Sequence, residues 1–208
     1  MPARRVLVLL AHPMLERSRV NRVLATTAEK VPGVFVHDLY EAYPSMDLDV
    51  KREQQLLTEH DVVVFQHPFY WYSTPAILKE WQDLVLEHNW AYGSKGHHLE
   101  GKITLNVVST GGPEQVYQTG GYNLYTVKQL LAPYELTARL CKMQFLAPFV
   151  VHSAFKYERP DELAHHIDEY KLLLEALRDD TLDLEKAASV TRLNAELKSL
   201  TKKKGGDA

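Results

Sequence analysis

Residues His67 to Trp81, HPFYWYSTPAILKEW, set four consecutive aromatic rings between a run of apolar residues and a helix-start pattern. A strand alternates its faces and a turn exposes its tip, so Phe69, Tyr70, Trp71 and Tyr72 cannot all enter one core. They either line a core or subunit contact, or wall a site for a flat ligand. A second stretch with chemistry is Ala11 to Asn21, AHPMLERSRVN, which opens into a helix whose free N–H groups and positive dipole end attract an anion. Ser18 and Asn21 could donate hydrogen bonds to that anion, His12 could approach it from a strand end, and Arg17 and Arg19 add positive charge. Ser18 could equally do no more than cap its helix. The loop holds no glycine, so it is neither a G-x-G-x-x-G fingerprint nor a G-x-x-x-x-G-K-[ST] loop, and it fits a mononucleotide held at its phosphate end. The third stretch is Ser109-Thr110-Gly111-Gly112-Pro113, where the glycines either let backbone N–H groups reach a ligand or simply make a turn.

These loops need a scaffold that brings them together. Val6 to Leu10 and Val62 to Phe65 read as strands buried on both faces, Val34 to Leu39 as an alternating strand and Lys102 to Val108 as a fourth, with a fifth within Phe145 to Val151. Helices are expected after Ser18, over Asp49 to Glu59, after Ser73 or Thr74 with Pro75 in the first turn, around Pro133, and from Asp161 through Leu177. Five strands alternating with five helices predict an α/β fold, a doubly wound parallel sheet with helices on both faces. The three chemical stretches follow the first, third and fourth strands, so they share the carboxyl edge where such sheets bind ligands. A last amphipathic helix is expected over Asp183 to Leu200 and a frayed tail from Lys202. The domain division is therefore 1–180 for the sheet domain and 181–208 for the extra helix and tail.

Composition narrows the class. With 208 residues, 45% of them hydrophobic, one domain is expected. A net charge of −3 with both signs interspersed gives no basic face for nucleic acid and no acidic face for an electron-transfer partner. The single cysteine, Cys141, and the lack of a leader or long apolar span ahead of the first strand predict a cytoplasmic protein. Among the ten histidines, the adjacent pairs His97–His98 and His165–His166 point different ways, and no metal site is expected.

In His12-Pro13, Ser18 to Asn21, His67 to Ser73 with Pro75 and Lys79-Glu80-Trp81, Trp90-Ala91-Tyr92-Gly93 and Thr110-Gly111-Gly112, the chain resembles the flavodoxin-like NAD(P)H:quinone oxidoreductases. Its nearest likeness is to the short FMN-binding branch that includes ancillary subunits of glutathione-regulated potassium-efflux systems. The resemblance implies a flavodoxin-like five-stranded sheet and a noncovalent flavin, FMN rather than the FAD of longer members. The flavin phosphate would lie against His12, Ser18, Arg19, Val20 and Asn21, and its ring on Phe69, Tyr70, Trp71, Tyr72, Ser109, Thr110, Gly111 and Gly112. Two-electron, ping-pong transfer from NAD(P)H to a quinone is implied, together with a homodimer. Tyr117 matches a flavin-side tyrosine of the longer enzymes, while Asn123 stands about where they carry a histidine. These two residues are the catalytic candidates, with solvent supplying protons. The branch also implies an alternative role as a regulatory subunit docked on a potassium/proton antiporter, and hence a peripheral position at the inner membrane.

Overall fold

The structure is a computed structural model and describes residues 3–202. Strand β1 (Val6–Leu10) is buried throughout and lies between two partners, which explains why its sequence is uniformly apolar. Helix α1 (Asn21–Glu29) returns the chain to β2 (Val34–Asp38), and a short helix α2 (Leu39–Ala42), capped by the Asp38 side chain, precedes α3 (Val50–Glu59). Next come β3 (Val62–Pro68), α4 (Ala76–Val85), β4 (Ile103–Ser109), α5 (Val127–Leu130), α6 (Ala132–Leu140), β5 (Gln144–Phe145) and β6 (Phe149–Val151). Helices α7 (Ala164–Arg178), α8 (Leu184–Ser189) and α9 (Leu197–Leu200) complete the described chain.

The sheet runs β2-β1-β3-β4-β5, with β6 also on β4, and every pairing is parallel. Alternation divides the core. Val6, Val8, Val62, Val64 and Leu105 face α1 and α7, whereas Leu7, Leu9, Val63 and Phe65 face α3, α4 and α6.

Several local expectations change. The fifth strand is two short pieces, because the chain leaves the ladder at Ala147-Pro148, where proline has no N–H to donate. Ala147 gives its own N–H to Ala187 O instead, at 3.0 Å. Pro75 is the N-cap of α4 rather than a first-turn residue, and neither Ser73 nor Thr74 caps that helix. Residues 160–163 form a 3-10 turn ahead of α7. The helix read over Asp183 to Leu200 is divided into α8 and α9, and Ala187, Leu193, Leu197 and Leu200 pack into the α1/α7 face of the core. The tail read from Lys202 lies, beyond that residue, outside the described residues.

The registers Pro68↔Ser109 and Ser109↔Val151 end β3, β4 and β6 level with one another. The loops that leave them therefore start side by side, next to the loop that leaves β1.

Candidate functional site

A buried polar chain braces this edge from below. Tyr170, fully buried on α7, donates its hydroxyl to Gln66 Oε1 at 2.9 Å, and Gln66 Nε2 donates to the Asn21 carbonyl at 2.9 Å. Asn21 Nδ2 in turn donates to Ser109 Oγ at 2.8 Å. The start of α1 and the ends of β3 and β4, from which the loops leave, are thus tied to one another and to α7 by buried groups. Asn21, read from sequence as an anion donor, spends its amide on this brace and does not line the cavity above it. Gln66 was missed, since a polar residue inside an apolar strand announces nothing about its partner.

Above the brace is a cavity of about 730 Å3 lined by His12, Met14, Arg17, Ser18, Arg19 and Val20 from the first loop. Pro68, Phe69, Tyr70 and Trp71 line it from the aromatic turn, and Ser109, Gly111, Ala154 and Phe155 complete it. This size lies within the range of small-molecule and cofactor sites. His12, Ser18, Arg19, Val20, Phe69, Tyr70, Trp71, Ser109 and Gly111 are therefore brought together as the sequence suggested. Tyr72, Thr110 and Gly112 are not among the lining residues.

The anion end has the right polarity. The Met14 N–H donates to His12 Nδ1 at 3.1 Å, which leaves Nε2 of the neutral ring as the hydrogen-bond donor. Burial holds the His12 imidazole below its ordinary pKa. Ser18 Oγ accepts the Asn21 N–H at 3.0 Å, although the N-cap of α1 is Val20 and not Ser18 as expected, and the hydroxyl hydrogen stays available to an anion. Exposed Arg17 and Arg19 flank the mouth, and Arg19 donates to the Phe155 carbonyl at 2.7 Å.

The aromatic end is strained and open. Trp71 and Tyr72 both adopt left-handed backbone angles, with φ of 50° and 61°, which non-glycine residues hold only under constraint. Trp71 is 92% exposed while Phe69 is buried, so the turn points its rings in different directions. Phe155, 78% exposed, stands over Gly111, where an added Cβ would come within 2.9 Å of its ring. Ala154 and Phe155 were missed. The available signal was topological: their loop follows the last strand at the same carboxyl edge.

Tyr117 does not line this cavity. It lines a second cavity of about 380 Å3 with Glu114, Gln118, His152 and Arg192. Its ring meets Phe69 edge-on at 6.2 Å, and burial raises its pKa. Asn123 joins the two loops, because Tyr72 donates its hydroxyl to Asn123 Oδ1 at 3.3 Å and Asn123 also bonds Tyr117. No group of histidine, cysteine and carboxylate side chains among the described residues could hold a metal ion.

The residues fit a flavin mononucleotide. A donor set of imidazole, hydroxyl, guanidinium groups and a helix N-terminus suits a phosphate, and a wall of flat rings suits a ring system.

Comparison with known proteins gives the same picture. The profile of a family described as having the flavodoxin-like fold matches residues 4–174. Glutathione-regulated potassium-efflux system ancillary protein KefG of Serratia proteamaculans is 48% identical over 166 residues, covering 80% of this chain and 90% of its own. Among solved structures, general stress protein 14 of Treponema denticola, in complex with FMN, is 36% identical with a TM-score of 0.78, over 83% of this chain and 99% of its own. An NADPH-quinone reductase of P. pentosaceus is 34% identical with a TM-score of 0.74, over 82% of this chain and 97% of its own. A chain described as a thermophilic tryptophan halogenase from Streptomycin violaceusniger is 44% identical with a TM-score of 0.76, over 79% and 95%. Likeness of chain and fold alone thus leaves the reaction to be argued from the site.

Proposed function

This chain belongs to the flavodoxin-like NAD(P)H:quinone oxidoreductase family, in the branch that contains the potassium-efflux ancillary proteins; from that premise we propose that it is an FMN-dependent NAD(P)H:quinone oxidoreductase. The observation that carries the reading is the cavity of about 730 Å3 with anion donors at one end and aromatic rings at the other. A solved relative in complex with FMN and another described as an NADPH-quinone reductase support it. Bound there, FMN would supply two-electron hydride transfer from NAD(P)H to a quinone, the two substrates using one slot in turn.

The protein's part is binding, orientation and electrostatics. His12 Nε2, Ser18 Oγ, Arg17 and Arg19 would hold the phosphate. Phe69, Tyr70 and Trp71 would wall the ring system. Gly111 brings backbone close to the ligand. Tyr117, poised by Asn123, acts through the turn on negative charge that develops during transfer, and solvent supplies the protons. The exposed rings Tyr122 and Tyr125 support a homodimer that covers them.

Purified protein should take up FMN from solution, show a flavin absorption spectrum and turn over quinone with NADH or NADPH. Recovery of FAD, or no flavin affinity at all, would overturn the reading. The second reading, a regulatory subunit on a potassium/proton antiporter, is favoured by the names of the curated relatives. No helix among the described residues is long and apolar enough to cross a membrane, so such a role would be peripheral and cytoplasmic. Co-purification with an antiporter, with slow quinone turnover by the isolated chain, would favour it.

A further inference from the structure

The Thr110–Gly112 turn joins Ser109, which lines the larger cavity, to the segment of Glu114 and Tyr117, which line the smaller one, and its hydrogen bonds fix a proton on a residue outside it. Thr110 Oγ1 lies 2.8 Å from the Gly112 carbonyl and 3.0 Å from His152 Nδ1. A hydroxyl has one hydrogen. Two oxygens 2.8 Å apart repel unless that hydrogen lies between them, so Thr110 donates to Gly112 O and must accept from His152. His152 Nδ1 therefore carries the proton, and Nε2 of the neutral ring is left as a lone pair on the side of the cavity of about 380 Å3.

The ring is held neutral by its setting. Burial, and then the nearby Arg192 guanidinium, lower the His152 pKa to about 4, against the opposing pull of Glu114. Arg192 is itself fixed, by an ion pair with Glu114 at 3.0 Å. Its segment is seated by Asn194, whose side chain accepts the Val150 N–H at 3.1 Å and donates to the Val150 carbonyl at 2.9 Å. The stretch beyond the family match at residue 174 thus sets the surroundings of His152.

The backbone shows what this bond completes. Thr110 N donates to Val151 O at 2.9 Å, Ala154 N to Thr110 O at 2.8 Å, and Ser153 N to Gly112 O at 3.0 Å. Ser153 is left-handed at φ 58°, a non-glycine conformation that requires support. Gly111 and Gly112 have no side chains to hold them, so the direction of their N–H groups depends on these ties.

We propose that His152 is a positioning residue for the ligand site, fixing the Thr110–Gly112 turn through one Nδ1–H donor to Thr110 while its ring backs Tyr117 at 5.7 Å. The effect on FMN rests on the flavin-binding reading above; the tautomer does not. In 15N-labelled protein without ligand, the resonances lost in His152→Asn identify the ring. Nδ1 should be of the protonated type and Nε2 of the lone-pair type, and the reverse tautomer overturns the proposal. FMN affinity is then read by fluorescence quenching, with folding checked by circular dichroism. His152→Leu should weaken FMN binding about tenfold, as expected for one lost hydrogen bond. His152→Asn, whose amide nitrogen occupies the Nδ1 position, should restore it. Thr110→Val, which also loses the bond to Gly112 O, should weaken binding at least as much as His152→Leu, and the double variant should lose no more than Thr110→Val alone. If wild type binds FMN and folded Thr110→Val or His152→Leu binds it equally well, the proposal is wrong. If wild type binds no FMN, the flavin reading fails and the tautomer alone decides the role of His152.

Discussion

The Glu53 cluster and the aromatic turn use similar residues to opposite ends. Glu53, on α3, is fully buried. Its Oε1 accepts from His37 Nε2 at 2.8 Å and from the Tyr43 hydroxyl at 2.6 Å, and its Oε2 from Trp81 Nε1 at 2.8 Å. Burial alone would raise its pKa, but the donors from His37, Tyr43 and Trp81 outweigh that and hold it below the usual carboxylate value. The cluster joins β2, α2, α3 and α4 and leaves no atom of the carboxylate for a ligand. In the turn, Tyr70, Trp71 and Tyr72 are exposed and two of them are strained in backbone. Groups fully engaged with one another stabilise a fold, whereas groups left open on a braced frame are available to a ligand.

The largest effect expected from this contrast is at Glu53. Glu53→Ala strands three donors in the core and should destabilise the fold by about 3–5 kcal/mol, read by urea denaturation. A loss under about 1 kcal/mol would show that water reaches the cluster and would dissolve the comparison.

Acid should act next, on the buried histidines of frame and site alike, with His67 the frame's clearest case. His67, wholly buried at the end of β3, has its pKa lowered by burial to about 4. Between pH 6.5 and 4 the unfolded chain binds a proton there that the folded chain refuses, so stability falls as pH falls through that window. The loss from His67 should approach roughly 3 kcal/mol near pH 4, measured as a shift in the denaturation midpoint. His67→Gln should remove its share of the dependence and leave that of His152 and the other buried histidines. An unchanged slope would place the acid sensitivity elsewhere.

At the rim the effect should pass from stability to chemistry. Tyr117→Phe removes a hydroxyl that lies outside the ligand cavity and should cost no more than about 1 kcal/mol, or about fivefold in the rate of hydride transfer, with FMN still bound. Asn123→Ala should cost less. Stopped-flow traces of both half-reactions that match wild type would leave Tyr117 a purely spatial role.

The smallest stability effect is expected at Trp71. Trp71→Ala should change stability by no more than about 0.5 kcal/mol, because its ring is almost wholly in water, and yet should weaken FMN binding. A large drop in melting temperature would mean that the turn belongs to the frame.

The sequence by itself determined the sheet, since uniformly apolar runs at Val6–Leu10 and Val62–Phe65, separated by helical periodicity, admit little but a buried parallel core. It also located the first, third and fourth strand loops on one edge, because chain order and handedness fix which ends of parallel strands lie together. Four of the site assignments needed the fold. Asn21 turned out to be a brace, Tyr117 to face the second cavity, Phe155 to wall the first and His152 to hold Thr110 from 42 residues away. Periodicity reports which face of an element is buried, but not which distant group a polar side chain will meet. Only the tertiary structure decides that, because each such hydrogen bond depends on the register of separate strands to within a fraction of its length.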